Sequence, residues 1–364
     1  MRIVQLVLAP RLSGAEVLVK GLAIAHRRGG HTVGIASLLP PESDFADAAR
    51  ELAAHRVICR FPARRYEHLA RLAFLYRTVR QLAPDIVFAH TTIPALYARA
   101  LPLPVPIVFV MHSGMNDFTE NRWLRCAERM LSRRARAVIG VSQRNVDQYA
   151  ATIGLHGESF VVPNGVDVER FRHTAGERGE GSEGHMGCTA GTRHIVQIGR
   201  YMPEKGQLET VRAFGEALAR QPGARLRLHL CGVREDRGYH ARVVALVDEL
   251  HIGANVDIDG PRTDVPDLLA RAAVFAMPSH FEAHSIGFLE GLASGVPIVA
   301  NAIEAFAFAR DYRGVRLVDT SDPAQFGRAL IDALDEPRSV RPLDGLTLED
   351  TAARYLDIAQ RVLA

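Results

Sequence analysis

Lysine is all but missing from this chain. Lys20 and Lys205 are the only two among 44 basic residues, and every other base is arginine. A lysine retained against that background needs a chemical reason. Cysteine is scarce too: Cys59, Cys126, Cys188 and Cys231 are scattered, with no CxxC pair. That argues against a disulfide framework or a cysteine-built metal site and suits a reducing cytoplasm. No apolar run approaches the ~18 residues that a membrane span needs. Residues 3–8 are too short for a signal-peptide core and carry Gln5, so they read as a first strand. The turn after them is APRLSG, not G-x-G-x-x-G, which disfavours a dinucleotide dehydrogenase.

At 364 residues the chain is too long for one ordinary core and suits two domains of about 150–200 residues. Charge is divided between them. Residues 1–172 carry 23 basic against 14 acidic side chains, and residues 173–364 carry 21 against 27. The basic half suits an anionic membrane surface or a phosphorylated acceptor better than nucleic acid. Two helical stretches concentrate this charge, 64–80 and 121–136. In the second, Trp123, Ala127, Met130 and Leu131 fall at helical spacing, with arginines elsewhere around the helix. A solvated amphipathic helix is the plain reading, and peripheral docking on anionic lipid is the functional one.

Short β-rich runs alternate with helical patterns throughout, the signature of parallel sheets wrapped by helices. The first half predicts strands at 3–8, 32–38, 56–60, 85–89, 107–111, 137–141 and 160–162. Helices fall between them at 15–28, 67–82, 94–100, 121–134 and 144–153. The second half predicts strands at 194–198, 225–230, 256–258, 274–277, 298–300 and 315–318. Its helices are expected at 208–220, 240–250, 267–271, 286–293 and 326–334, and a last amphipathic helix at 348–363. The fold class is therefore α/β with two Rossmann-like, doubly wound domains, 1–172 and 194–345, joined by a glycine-rich linker at 173–193. His185 and Cys188 in that linker are a weak metal signal, since two ligands in a flexible segment do not make a site.

The stretch 277–301, MPSHFEAHSIGFLEGLASGVPIVAN, organises the rest. It reads strand end, loop, short helix, turn, strand. Ser285 is a natural N-cap, and Gly295 and Pro297 stop the helix. Glu282 lies in the loop and Glu290 inside the helix, on either side of a helix start that favours phosphate. Carboxylates repel phosphate, so the arrangement suits a diphosphate with hydroxyl-rich groups at both ends. A nucleotide sugar has that form. From Ser285 to Glu290 the rise is about 7.5 Å at ~1.5 Å per residue, the reach from phosphate to ribose. The plain alternative is a capped surface helix with two solvated glutamates.

A second motif follows the first strand of the second half: Gly199-Arg200-Tyr201-Met202-Pro203-Glu204-Lys205-Gly206. Glycines bracket two cations at a strand-to-helix turn, where a pyrophosphate needs neutralising.

PNGVD at 163–167, G-R-x-x-x-E-K-G at 199–206 and P-S-x-x-E-x7-E-G-x-A-x-G-x-P-I-V-A at 278–300, in that order, resemble glycosyltransferase family 4. These are retaining nucleotide-sugar glycosyltransferases with the GT-B fold, two Rossmann-like domains facing a central cleft. The resemblance runs from Leu6 to the last helix and is strongest in residues 160–304. It implies that Arg200 and Lys205 hold the donor diphosphate, Glu290 the ribose hydroxyls, and Glu282 the transferred sugar. The backbone N–H groups of Ser285 and Ile286 would hold phosphate. His112, in VMHSG, matches the active-site histidine after the fifth strand, and Gly14 the glycine loop facing the donor. Residues 348–363 match a helix that crosses back onto the first domain.

Two departures bear on the sugar. The usual Gly-Gly-x-Glu is Ser13-Gly14-Ala15-Glu16, and the usual E-G-F-G-x-P is Glu282-Ala283-His284-Ser285-Ile286-Gly287. His280 and His284 flank Glu282 in a loop, without the helical i, i+4 spacing of a zinc pair. Transfer is expected without a metal or other cofactor, the nucleoside diphosphate sugar being a co-substrate. The expected acceptor is a glycan, a lipid-linked glycan or a small molecule, in bacterial envelope polysaccharide, lipopolysaccharide or lipid-linked glycan assembly. The expected location is the cytoplasm or the inner face of its membrane. Two alternatives share the architecture: a nucleotide-sugar epimerase, which needs no acceptor, and a nucleotide-sugar-binding protein without catalysis.

Overall fold

The computed structural model describes residues 1–112, 117–176 and 191–364. Its chain divides into two compact units, Met1–Gly165 with Gly345–Ala364, and Val166–Asp344.

The first unit is built on seven strands: β1 (Arg2–Val7), β2 (Thr32–Ser37), β3 (Ile58–Arg60), β4 (Ile86–His90), β5 (Ile107–Met111), β6 (Ala137–Gly140) and β7 (Glu158–Val161). They pair in parallel in the order β3-β2-β1-β4-β5-β6-β7. A parallel sheet covered on both faces must be apolar on both, and β4, IVFAH, is buried at every position. Around it run α1 (Gly14–Arg28), α2 (Ala46–Ala54), α3 (His68–Leu82), α4 (Thr92–Ala100), the single turn α5 (Asp117–Glu120), α6 (Arg122–Leu131) and α7 (Gln143–Thr152).

The second unit opens with α8 (Val168–Gly176), which packs on α11 (Val265–Arg271) and α12 (Ile286–Ser294). Residues 166–172, grouped with the first half on sequence, therefore belong here. Most of the expected linker, including His185 and Cys188, lies outside the described residues. The remaining helices are α9 (Gln207–Arg220), α10 (Arg237–Glu249) and α13 (Pro323–Leu334). Six parallel strands, β8 (Arg193–Ile198), β9 (Leu226–Cys231), β10 (Val256–Asp259), β11 (Val274–Met277), β12 (Ile298–Asn301) and β13 (Val315–Val318), take the order β10-β9-β8-β11-β12-β13.

The last helix, α14 (Leu348–Leu363), returns to the first unit and packs on α1. Thr347 and Asp350 close a capping box at its start. The PNG turn seats against that start. A Cβ on Gly165 would lie 2.2 Å from the Thr347 carbonyl oxygen, so only glycine fits. No described helix is long and apolar enough to cross a membrane.

All thirteen expected strands are present, but three helices, α2, the single turn α5 and α8, are not foreseen by sequence pattern. α2 buries only Ala48 and Leu52, too little for a helical period to register. The expected apolar face of α6 is also turned: Trp123 and Met130 are 74% and 76% exposed while Glu128 is fully buried. The cause is an ion pair that overrides apolar periodicity. Arg99 clasps Glu128 through Nη1 and Nη2 at 2.7 and 2.6 Å, and Tyr149 donates to the same carboxylate at 2.6 Å.

Candidate functional site

In each sheet the winding reverses once, between β1 and β4 and between β8 and β11. Loops leaving the carboxyl ends of such a strand pair diverge to opposite faces and open a crevice. In the second unit these are the loops after β8 and after β11, which hold the two motifs singled out on sequence.

The two loops touch through a glycine. Gly206 has φ +68°, and a Cβ there would meet the Pro278 carbonyl oxygen at 2.8 Å. Side-chain amides fix the first loop. Gln197 Nε2 donates to the Lys205 carbonyl at 2.7 Å, and the buried Gln207 Nε2 to the Arg200 carbonyl at 2.9 Å. The second loop is tied to the first where His280 N donates to the Glu204 carbonyl at 2.9 Å. Thus held, Lys205 Nζ donates to Glu282 Oε1 at 2.6 Å, with the two side chains only 17% and 9% exposed. Two charges this far out of water persist because each neutralises the other.

Ser285 ends the second loop as the N-cap of α12, its Oγ accepting from Phe288 N at 3.4 Å. Ile286 is the first helical residue, and Glu290 lies farther along α12, half-buried. Arg200 shares a loop with Lys205 but turns to Glu235, Nη1 to Oε2 at 3.9 Å. The structure therefore brings Lys205, Glu282 and the start of α12 together and aims Arg200 at a different carboxylate. His280 Nε2 lies 3.4 Å from Glu209 Oε1. The His284 ring stacks on Phe308, and burial lowers its pKa to about 4, so it is neutral at pH 7.

In the first unit His112 follows β5 and lines a pocket with Thr91, Thr92, Phe109, Asp117 and Tyr149. The Thr92 hydroxyl donates to Asp117 Oδ2 at 2.6 Å. His112 Nε2 lies 2.8 Å from His90 Nδ1, whose Nε2 lies 2.6 Å from Gln5 Oε1. Burial lowers the His112 pKa to about 4, and burial with the neighbouring His112 holds His90 well below the usual imidazole range. Thr91 has φ +70° and ψ 168°, a region nearly reserved for glycine. Gly14 begins α1 and is exposed. Ser113 and Gly114 of VMHSG lie outside the described residues.

Gln5, His90 and Thr91 escape the sequence reading. A signal existed: a glutamine within an apolar first strand and a histidine ending a buried fourth strand are both polar groups that a core must satisfy.

Two family profiles match the chain, one described as Glycosyltransferase Family 4 over residues 12–170 and one as Glycosyl transferases group 1 over 192–336. Among similar proteins, a D-inositol 3-phosphate glycosyltransferase of Corynebacterium jeikeium is 32% identical over 47% of this chain and 42% of its own length. A GDP-mannose-dependent monoacylated alpha-(1-6)-phosphatidylinositol monomannoside mannosyltransferase of Corynebacterium glutamicum is 28% identical over 54% and 52%. The chain spans about half the length of these relatives. Among solved structures, Anabaena HepE in complex with UDP and glucose superposes with TM-score 0.73 at 17% identity, over 99% of this chain and 95% of that one. A glycosyltransferase from Rickettsia africae gives 0.74 at 15% identity, over 99% and 98%. At such identities the likeness is one of fold.

Proposed function

Because this chain belongs to glycosyltransferase family 4, with the GT-B fold, we propose that it moves a sugar from a nucleoside diphosphate sugar to an acceptor hydroxyl, with retention at the anomeric carbon. The observation that carries this reading is the Lys205–Glu282 pair beside the start of α12, at the crevice between β8 and β11. Lys205, together with Arg200, neutralises the diphosphate. The N–H groups of Ser285 and Ile286 hold phosphate at the helix start. Glu290 takes the ribose hydroxyls and Glu282 the sugar.

Charge develops on the departing diphosphate, and a cation with a helix N-terminus stabilises it most where water is excluded. These groups supply what a divalent metal would supply, so turnover is expected to resist chelators. Glu282 and Glu290 serve opposite ends of the donor, unlike the close carboxylate pair of a retaining glycosidase. The acceptor hydroxyl then attacks from the face that the diphosphate leaves, and the leaving phosphate takes its proton.

The acceptor reading rests on charge. Both relatives named above are named for acceptors in which inositol carries phosphate, and the first 172 residues here are basic. On α6, Trp123 and Met130 are exposed beside Arg122, Arg129 and Arg133, a face suited to an anionic lipid surface in envelope or lipid-linked glycan assembly. Co-sedimentation with vesicles rich in anionic lipid, lost at high salt and in Trp123→Ser, tests that surface.

The central test is a thermal-shift panel of nucleotide sugars, followed by release of nucleoside diphosphate with and without acceptor. Acceptor-dependent release supports transfer, while an isomerised sugar without acceptor would establish an epimerase. Equal donor binding by wild type and Lys205→Ala would remove the site assignment.

A further inference from the structure

Three polar side chains from three neighbouring strands form one line through the first unit: Gln5 on β1, His90 at the end of β4, and His112 just after β5. Gln5 is 0% and His90 1% exposed. Both imidazoles are held neutral by burial, so each ring carries one N–H and one bare nitrogen. Gln5 Oε1 can only accept, which puts the proton of His90 on Nε2, 2.6 Å away. His90 Nδ1 is then bare and must accept the Nε2–H of His112 at 2.8 Å. What remains on His112 is a bare Nδ1, buried and without a hydrogen-bond partner among the described residues. The His90 ring is held between two neighbours, lying near-parallel to Tyr355 at 6.3 Å and to His112 at 5.1 Å. The strained Thr91 immediately follows it.

We propose that Gln5 and His90 are positioning residues that lock the tautomer of His112, so that its Nδ1 meets the substrate as a hydrogen-bond acceptor. This rests on the reading of His112 as a substrate-facing residue. The consequence is a chemical selection. The substrate group that docks on Nδ1 must bring a proton, as a sugar or acceptor hydroxyl does. A carbonyl or a fully ionised phosphate oxygen would face a lone pair and be rejected. Turning the Gln5 amide over would reverse every donor in the line, so the direction is itself open to measurement.

The experiment labels the histidine rings with 15N and reads their shifts at pH 7, where protonated and bare ring nitrogens are well separated. His112→Gln and His90→Asn serve to assign the peaks. In the wild type, both rings should be protonated on Nε2. In Gln5→Met the acceptor for His90 is gone, and a buried N–H without an acceptor is worse than a bare nitrogen. Reversing the line would in turn leave an N–H on His112 Nδ1 unpaired, so neither direction is favoured and the His112 proton should be shared between Nε2 and Nδ1. The transfer rate should fall with the lost fraction of the Nε2 tautomer, roughly 2- to 10-fold, while the fold is retained. A wild-type His112 protonated on Nδ1 would overturn the proposal, and so would an unchanged His112 ring in Gln5→Met. Should Gln5→Met fail to fold, the wild-type spectrum still decides. The ring shifts need no turnover: correct tautomers in a protein that transfers no sugar would sink the transferase reading and leave the relay standing.

Discussion

Lys205 and Glu282 lie 77 positions apart in sequence and meet at 2.6 Å. The family resemblance assigns them to different parts of one donor, the lysine to phosphate and the glutamate to sugar. In the structure each is the other's counter-charge. A diphosphate arriving at Lys205 must share it with Glu282 or displace it, which separates the two residues experimentally. Lys205→Ala should weaken nucleoside diphosphate binding by roughly tenfold or more, about 1.4 kcal/mol. Glu282→Gln should bind the nucleoside diphosphate as tightly as wild type or up to roughly tenfold tighter, because the lysine is released. It should nevertheless transfer sugar at a rate lower by roughly 100-fold. Titration calorimetry and product release read the two effects separately. Tighter binding in Lys205→Ala would place the phosphate elsewhere.

Gly206 sets the distance between the two loops. An alanine there would have to keep φ +68° and place a methyl 2.8 Å from the Pro278 carbonyl oxygen. The backbone alone costs about 1 kcal/mol, and the contact adds to it, so Gly206→Ala should lose about 2 kcal/mol or more in urea unfolding. Gly223 supplies the control. A Cβ there meets nothing within 4 Å, and Gly223→Ala should be neutral or slightly stabilising.

The contrast between these glycines marks what a single sequence can and cannot show. Strand positions were legible because apolar runs such as IVFAH and VFAM are too short for a helix and are bounded by turn residues. The motif at 199–206 was legible because a lone lysine between glycines stands out. Three features were not. α6 turns because Glu128 follows Arg99, a partner 29 residues away that no local period reveals. The Lys205–Glu282 pair depends on the contact of two loops. The Gln5–His90–His112 line depends on β1 and β4 being neighbours in the sheet, although β2 and β3 come between them in the chain. Local chemistry is written locally, and the pairing of remote charges is not.

Thr91 is a β-branched residue at φ +70°, a conformation that costs about 1–3 kcal/mol. Thr91→Gly should relieve that strain. After allowing for the greater freedom of glycine in the unfolded chain, a net stabilisation of about 1 kcal/mol is expected. If the strain serves to aim His90 and Thr92 into the pocket, the same variant should lose transfer activity while gaining melting temperature. A fall in melting temperature would show that the threonine side chain makes a contribution larger than the strain.

His26 sets the acid limit of the first unit. It is 1% exposed on α1, and its Nε2 bonds the Ala352 carbonyl of α14 at 3.0 Å. Burial lowers its pKa to about 4, against the backbone hydrogen bond that raises it. Below the ordinary value near 6.5 the unfolded chain takes up a proton that the folded chain refuses, so stability falls as pH drops from 6.5 toward 4 and is flat above 6.5. One such site removes about 1.4 kcal/mol per pH unit across that window, up to about 3 kcal/mol in all. His112, in the same unit and also at about 4, adds to the same slope. Urea unfolding from pH 7 to pH 4.5 should show a steep loss in the wild type. In His26→Leu, which forgoes the hydrogen bond and starts lower at pH 7, the loss on acidification should be smaller by one proton's worth. Equal slopes in the two proteins would mean that His26 is already protonated in the fold, with the α1–α14 contact open to water.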